Sequence, residues 1–414
     1  MNPRAIVIGG SLGGLFAANL LADLGWEVRV FEKVGDDLAA RGAGIGTHTP
    51  LIDVLAGLGI RMDERLGLVS GDRVCLDRAG NVLYRRHWAH TMSAWANVYR
   101  PLKDRFAAQR YFFNRNFVSF AEEKDCVVAR FDDGSEARGD LLIGADGLRS
   151  AVRSQIFPAH LYPEAEPAYC GYVAWRSIVD EEAIPAASRA WLKGGYWFVL
   201  PPNEMFLSYE VPSKDPLREP GRRDWNYVWY RPVDDQAFRE LCTDASGRQH
   251  QHGIPPPLIR PEAIARFKQD ARALLAPHVA TLVESSQPFF QPIYDVESPR
   301  LASGRVVLLG DAAFVARPHI GAGVTKAALD ALCLSNSLKA NPGKLQAALA
   351  RYDRLRSEYG RACVARGRRL GSYIEARSRP ERKWTPEQLD QRPERVLSEV
   401  ALALDEIPEL ALEV

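Results

Sequence analysis

Short apolar runs and glycine-rich turns alternate along the first third of the chain. Ala5–Ile8 is wholly apolar, the pattern of a strand buried on both faces. Gly9-Gly10-Ser11-Leu12-Gly13-Gly14 follows, and Leu15–Leu24 predicts a helix with small residues on one side, stopped by Gly25. Glu27–Phe31 predicts a second strand with Glu32 at its end, so the chain opens on one strand–helix–strand unit. A helix is predicted over 50–59 after Pro50. A hairpin is predicted from Val74–Leu76 and Val82–Tyr84 around Asp77-Arg78-Ala79-Gly80-Asn81. Residues 98–109 read as a helix, Val127–Phe131 as a strand entering the turn Asp132-Asp133-Gly134, and Leu141–Ile143 as another buried strand.

The pattern changes over about 166–286. Aromatics recur at alternate positions: Tyr169, Tyr172, Trp175; Tyr196, Trp197, Phe198; Phe206, Tyr209; Trp225, Tyr227, Trp229, Tyr230. This period predicts an antiparallel sheet, interrupted at Pro201-Pro202 and Pro255–Pro257. Val306–Leu309 returns to a buried strand. A long helical region over about 322–376 ends before Pro380, and 394–406 predicts a final amphipathic helix.

The chain has 414 residues, 46% hydrophobic and 25% charged, enough for two or three domains and unlike a disordered, collagenous or coiled-coil chain. A formal charge of +1 gives no reason to expect nucleic acid or an anionic membrane as partner. Arg366, Arg368 and Arg369 are expected on a solvated helix face. The six cysteines form no CxxC pair and no zinc set with histidine, so reduced thiols and no metal site are expected. With neither a signal-peptide pattern nor an 18-residue apolar stretch, the expectation is a cytoplasmic protein without a membrane span.

Candidate chemistry sits at the glycine-rich turns. Glycine lets a backbone approach a pyrophosphate, and the following helix start offers free N–H groups and a positive dipole end. Glu32 stands eighteen residues after Gly14, where an acid can accept ribose hydroxyls. Ser11 replaces the usual second glycine; its hydroxyl is itself a phosphate donor. This loop serves FAD and NAD alike. A second motif, Asp146-Gly147-x-x-Ser150-x-x-Arg153, follows the strand Leu141–Ile143. A third, Gly310-Asp311-Ala312-Ala313, follows Val306–Leu309 and leads to Pro318 and Gly321-Ala322-Gly323. A carboxylate at a strand end can hold ribityl hydroxyls, and a glycine-rich helix start can face the electron-rich end of a flavin ring.

The three motifs in this order resemble the FAD-dependent aromatic hydroxylase family, the single-component flavoprotein monooxygenases related to p-hydroxybenzoate hydroxylase, over about residues 1–375. Gly9-Gly10-Ser11, Tyr172–Arg176 and Ala316–Gly323 look like the 2,6-dihydroxypyridine 3-monooxygenase subgroup, while Phe314 stands where many relatives carry histidine. The resemblance implies an α/β fold: a Rossmann-like FAD-binding domain (1–73, 97–165, 287–340), an inserted antiparallel β-sheet substrate domain (hairpin 74–96, sheet 166–286), and C-terminal helices (341–414). It implies Gly9, Ser11 and Gly14 at the FAD pyrophosphate and Glu32 at the adenosine ribose, with Leu12 and Lys33 in the same set. Asp146 falls where FAD and NAD(P)H contacts meet, and Asp311 at the ribityl–phosphate segment. Arg100 lies on a helix flanking the flavin, and Arg41 in a nearby loop that guides NAD(P)H or covers the adenosine. Pro318, Gly321, Ala322, Gly323 and Val324 lie beside the isoalloxazine.

The implied reaction uses NAD(P)H and O2 to hydroxylate an electron-rich hydroxylated N-heteroaromatic or phenolic ring through a C4a-hydroperoxyflavin, in a homodimer. Only one dinucleotide fold and no redox cysteine pair are present, as such a monooxygenase requires and a disulfide-reductase-type flavoprotein does not. The candidate catalytic residues are His319 as a base for the ring hydroxyl, Arg317 as an anion contact or an ion-pair member, and Tyr209 as a pocket hydroxyl. Tyr172, Trp175 and Trp197 are further wall candidates or packing residues, Arg176 is expected to pair with a carboxylate or approach substrate, and His48 reads as a helix-start residue. Asp53 and Asp330 are expected to help helix structure. Two alternatives stay open: an FAD-dependent reductase or epoxidase of an isoprenoid-type lipid, and a non-catalytic flavin-binding scaffold.

Overall fold

The structure is a computed structural model that describes residues 2–38, 42–213, 215 and 222–401. The apolar runs form the centre of a six-stranded sheet in the order Ala302–Ser303, Val306–Leu308, Leu141–Gly144, Arg4–Ile8, Glu27–Phe31 and Tyr111–Phe112. All pairings are parallel except the short edge strand Ala302–Ser303. The first helix, Leu12–Asp23, packs on this sheet and against the helix Gly323–Ala340. A Cβ on Gly14 would lie 1.9 Å from the Gly9 carbonyl oxygen, so glycine at 14 lets helix and strand close up. The hairpin-forming strands Phe117–Glu122, Val127–Phe131 and Glu136–Gly139 make a separate antiparallel sheet.

The aromatic stretch is an eight-stranded sheet: Phe314–Val315, Phe289–Glu297, Ala168–Asp180, Arg223–Pro232, Met205–Pro212, Tyr196–Val199, Arg73–Leu76, Val82–Arg86. Its period-two alternation sorts side chains into two cores. Val173, Trp175, Phe206, Trp225, Tyr227 and Trp229 face one way, onto a core that includes Phe267 and Val279 of the helices Pro261–Leu274 and Pro277–Glu284. Tyr172, Ala174, Tyr196, Leu207, Tyr209, Val228 and Tyr230 face the other way and join the core of the parallel sheet. Replacing Trp225 or Trp229 by alanine costs about 3–5 kcal/mol, so the face they occupy contributes strongly to stability.

Several elements differ from their sequence expectations. The helix expected at 98 starts at Trp95, because the strand His90–Ala94 runs into it without a turn. The long helical region is two helices, Gly323–Ala340 and Leu345–Ser378, packed against each other. Pro342 lacks the donor to continue the first, and Gly343 turns the backbone at φ +71°. The final helix covers only Pro393–Glu399, and the remainder of the expected 394–406 helix from 402 on lies outside the described residues. Of the three arginines expected on a solvated face, Arg368 and Arg369 are exposed while Arg366 is buried, and each has a partner. Arg366 donates to the Glu399 carbonyl (3.1 Å), Arg368 to Asp295 (3.0 Å) and Glu297, and Arg369 to Glu399 (2.6 Å). The last helix, through Glu399, packs over Arg366 and reaches Arg369.

Candidate active site

The C-terminal ends of the parallel strands open onto a cleft of about 470 Å3. Gly9 has φ +101°, and a Cβ there would sit 2.3 Å from the Ala145 carbonyl oxygen. Gly10 lies under Tyr111, whose phenol donates to the Gly10 carbonyl at 3.0 Å. Ser11 caps the first helix without a side-chain cap bond, and no acid occupies that helix's first turn. The hydroxyl and the positive helix end are thus left for a ligand. Glu32 is buried, with Oε2 accepting from the Gly10 N–H (2.8 Å) and Oε1 from the Val34 N–H (3.0 Å). Each carboxylate oxygen keeps a lone pair for a ribose hydroxyl. Lys33 lines the same cleft. Leu12 is buried in the helix, and Gly14 serves the helix–strand contact. Arg41 lies outside the described residues. Arg100 is half-buried on its helix and lines neither cavity described here; Trp95 of the same helix lines the cleft.

The second and third motifs lock together. Asp146 lines the cleft, but its carboxylate turns to the start of the helix Ala151–Ile156, accepting from Ser150 Oγ (2.5 Å) and the Ala151 (2.7 Å) and Val152 (3.2 Å) amides. Burial pushes its pKa above the ordinary carboxyl value, and these bonds oppose the shift. Arg153, fully buried, donates to the carbonyls of Ala312 (2.9 Å) and Leu148 (2.6 Å) and so ties the second motif to the turn of the third. Lys326 donates to the Gly310 carbonyl (2.7 Å), and Asp330 accepts from the Gly310 amide (3.0 Å) and from Arg356 (2.6 Å). Asp330 therefore braces this turn as well as its own helix. Asp311 itself makes no hydrogen bond among the described residues and opens onto an inner cavity, exposed to the water within it. The surrounding protein shields it from bulk solvent and pushes its carboxyl up, with Lys326 opposing.

The inner cavity, about 480 Å3, shares Ile45, Arg176 and Gln291 with the outer cleft, so the two are neighbours along one path. One wall is Gly44–Gly46, Asp311, Pro318 and Gly321–Val324, though Ala322 is turned inward and buried. The other is the sheet face carrying Tyr196, Leu207, Tyr209, Val228 and Tyr230. Val400 and Ala401 complete it: Arg73, buried in the sheet, pins the carbonyls of Leu397 (3.1 Å), Val400 (2.5 Å) and Ala401 (2.6 Å). Gly321 has φ +67° and packs against Ala401, where an added Cβ would come within 2.6 Å. Gly323, first residue of its helix, faces open space: a Cβ there would meet nothing within 4 Å. Cradle, free helix starts, uncommitted Asp311 and buried Glu32 together fit a flavin adenine dinucleotide laid from cleft to cavity.

The three candidate catalytic residues fare differently. Tyr209 lines the inner cavity, and its phenol, like those of Tyr196 and Tyr230, makes no hydrogen bond among the described residues. His319 lines it too, fully buried, with Nε2 bonded to the Tyr172 hydroxyl (2.8 Å), its ring 4.4 Å from that of Tyr230, and Nδ1 unpartnered. Burial, reinforced by Arg317, pushes its pKa down to about 3, so the ring is neutral near pH 7. Arg317 points away from this cavity. Its guanidinium is buried on Asp295 (3.0 Å) and Glu375 (2.7 Å), where it lines a separate cleft under the last helices. It is an ion-pair member and does not line the inner cavity.

Trp175 and Trp197 fall on the far sheet face, stacked on Phe267 (4.4 Å) and Trp191 (4.3 Å); neither walls the cavity. Tyr172 shares the near face but stands behind His319. Arg176 pairs with no carboxylate among the described residues. It bonds the Gln291 side chain (2.7 Å) and the Gly44 carbonyl (3.4 Å) at the junction of the two cavities, so of its two expected roles the carboxylate pair is not seen. His48 caps the helix Thr49–Gly57 by position and bonds Thr325 Oγ1 through Nδ1 (2.9 Å). Tyr196 and Tyr230 share alternation parity with Tyr209 once the sheet's phase is fixed. Nothing in the sequence pointed to His90, Arg73 or Val400.

Comparison with known proteins agrees with this geometry. The family model described as FAD binding domain-like matches residues 169–295. The 2,6-dihydroxypyridine 3-monooxygenase of Paenarthrobacter nicotinovorans is 28% identical over 382 residues, covering 90% of this chain and 91% of its own length. The FAD-dependent urate hydroxylase of Klebsiella pneumoniae is 28% identical over 385 residues, covering 88% and 89%. Among solved structures, 2,6-dihydroxypyridine-3-hydroxylase from Arthrobacter nicotinovorans matches with a TM-score of 0.83 at 26% identity, over 93% of this chain and 95% of that one. Klebsiella pneumoniae HpxO, solved with FAD and uric acid, shares the fold with a TM-score of 0.74 at 24% identity, over 96% and 95%.

Proposed function

Because the chain is a relative of the FAD-dependent aromatic monooxygenases, we propose that it uses NAD(P)H and O2 to add one oxygen atom to an electron-rich hydroxylated N-heteroaromatic or phenolic ring. The observation that carries the proposal is the pair of adjoining cavities, one furnished for a dinucleotide and the next walled by four tyrosines and three histidines. Flavin, when bound, supplies hydride acceptance and the activation of O2.

The chain's own residues do the rest. Gly9, Ser11 and the first helix start would hold the pyrophosphate, Glu32 the adenosine ribose, and Asp311 the ribityl hydroxyls. Gly321–Val324 would meet the flavin ring edge, with Gly323 leaving the room it needs. Leu207, Val228 and Ile293 keep bulk water from the reacting centre. Tyr196, Tyr209 and Tyr230 offer hydroxyls that orient a ring's polar substituents. Arg176 supplies positive charge at the junction, suited to an anionic ring or to the flavin. Only a ring activated by a hydroxyl or amino group attacks an electrophilic oxygen readily, and losing the hydroxyl proton strengthens it further.

The test is oxidation of NADH and NADPH by the flavin-loaded protein, with oxygen uptake and product mass, over 2,6-dihydroxypyridine, 6-hydroxynicotinate, 4-hydroxybenzoate and salicylate. Ring-stimulated oxidation yielding a product heavier by one oxygen is the expected result. A yellow protein whose NAD(P)H oxidation is indifferent to every ring would count against the proposal.

A further inference from the structure

Val400 and Ala401 are the only described residues lining the inner cavity that come from beyond Val324, and both are buried. Their sequence neighbours line another space. The charged cleft under the last helices, about 1080 Å3, is lined by Arg317, Arg395 and Glu399. Arg382 and Lys383 in its lining are exposed, so that cleft reaches solvent. No described residue lines both spaces. Arg317 and Glu399 face the cleft, whereas Pro318, His319, Val400 and Ala401 face the cavity. The backbone at 317–318 and at 399–400 therefore runs between the two. The Ala401 N–H joins these segments by donating to the His319 carbonyl at 2.8 Å. Together they are the partition between the ring site and the water of the cleft.

The segment 397–401 does not hold itself in place. The helix Pro393–Glu399 is only seven residues long, and its final carbonyls need partners from elsewhere. In a longer helix the Ala401 N–H would bond Leu397; here it goes to His319. Ala401 has φ +49°, a left-handed conformation that costs a residue with a Cβ, and it packs against Gly321. Arg73 supplies the hold. Fully buried in the strand Arg73–Leu76, it donates to the carbonyls of Leu397 (3.1 Å), Val400 (2.5 Å) and Ala401 (2.6 Å), at the negative end of the helix dipole. Its guanidinium also lies within cation–π range of Trp88 (5.2 Å) and Tyr196 (5.3 Å), and Tyr196 lines the cavity. Arg366 and Arg369 grip Glu399, one residue short of the wall.

Resting on the function proposed above, we infer that Arg73 is a positioning residue of the ring site: it holds 397–401 as the wall that keeps cleft water out, and so ties NAD(P)H oxidation to oxygenation of the ring. A ring site open to water loses the exclusion that oxygen transfer needs. The two electrons then leave without touching the ring: NAD(P)H, H+ and O2 give NAD(P)+ and H2O2, and the ring is recovered unchanged.

The experiment uses Arg73→Met, Arg73→Lys and Ala401→Pro. Proline cannot take φ +49° and has no N–H for His319, while Val400, at ψ 132°, already suits a residue before proline. In the flavin-free proteins, amide hydrogen exchange over 394–400 is expected to quicken by about tenfold or more in Arg73→Met and Ala401→Pro, with the parallel sheet unchanged. In the flavin-loaded proteins, with the most stimulating ring of the panel, NAD(P)H oxidation continues, product per NAD(P)H falls severalfold, and peroxide makes up the difference. Arg73→Lys keeps the charge but not the planar fork and lies between. The double variant Arg73→Met, Ala401→Pro is no worse than the worse single one, because both open the same wall. Wild-type product yield in a variant whose 394–400 exchange has quickened would overturn the inference. So would a lost yield with unchanged exchange, which would place the effect of Arg73 on Tyr196 alone, or losses that add in the double variant. If Arg73→Met does not fold, Ala401→Pro decides on the same two readouts. A wild type that oxygenates no ring overturns the functional reading instead, and amide exchange still reports the hold of Arg73 on the wall.

Discussion

Gly323→Ala separates the cofactor site from the fold at a single atom. The glycine opens a helix, its φ is not in the left-handed region, and a Cβ there meets nothing within 4 Å. For the ligand-free protein the added methyl is therefore harmless, and Gly→Ala at a compatible site stabilises by about 0.4–1 kcal/mol through the unfolded chain. In a chain of this size that moves Tm up by roughly 1–2 °C. With flavin present the methyl stands in the space assigned to it, and overpacking of one methyl typically costs about 1–3 kcal/mol. That corresponds to flavin binding weakened by roughly 5- to 150-fold. Differential scanning of the apoprotein and titration of apoprotein with FAD, followed by fluorescence, read the two effects separately. Unchanged FAD affinity would show that no cofactor lies against Gly323, and a Tm loss of several degrees would show that the residue is structural. Gly321→Ala, two residues earlier, is the contrast: φ +67° and Ala401 at 2.6 Å make it lose stability with or without flavin.

Arg317→Met removes the buried cation between Asp295 and Glu375 and leaves them to the more exposed Arg368 and Arg382, and is expected to cost about 3 kcal/mol in urea unfolding while leaving the KM for ring and NAD(P)H unchanged in the folded enzyme; a KM shift without a stability loss would return Arg317 to the ring site. Trp197→Phe, on the far sheet face, should leave ring KM at the wild-type value, whereas Tyr209→Phe and Tyr230→Phe should raise it several-fold; the reverse order would mean that the sheet faces are misassigned. His90 and His319 are held neutral, with pKa values of about 3 against 6.5 in the open chain. The unfolded state binds more protons between those values, so their contribution is complete above pH 6.5 and is lost as pH falls toward 3, by about 1 kcal/mol per pH unit for each. Urea midpoints at pH 8, 6 and 5 that do not decline, or a decline that His319→Gln leaves equally steep, would contradict this.

The parts legible in the sequence are those with local causes. Apolar runs bounded by glycine placed the parallel strands, because strands buried on both faces need no polar alternation. Alternating aromatics announced the large sheet, and their parity is real: Trp225, Tyr227 and Trp229 share one core while Val228 and Tyr230 share the other. The phase of that alternation was not legible. Which face meets the ring cavity depends on where the parallel sheet docks, so Trp175 and Trp197 looked as suitable as Tyr209. Arg317 and His319 are two residues apart yet serve different cavities, since the short turn Pro318–Ile320 sends one to Asp295 and the other to Tyr172. His90, Arg73 and Val400 come from distant segments and act through tertiary contact alone. Pro342-Gly343, which divides the long helical region, is a local signal that the helical pattern on either side masks.

The central claim is that an oxygen atom from O2 enters a ring held between Asp311 and Tyr209. The most direct measurement is the mass of the product when the flavin-loaded protein turns over the panel ring that most stimulates NAD(P)H oxidation under oxygen-18 gas in ordinary water. The account predicts one heavy oxygen in the product for each NAD(P)H consumed in coupled turnover. A product carrying its new oxygen from water, or NAD(P)H consumed with no oxygenated product, would contradict it.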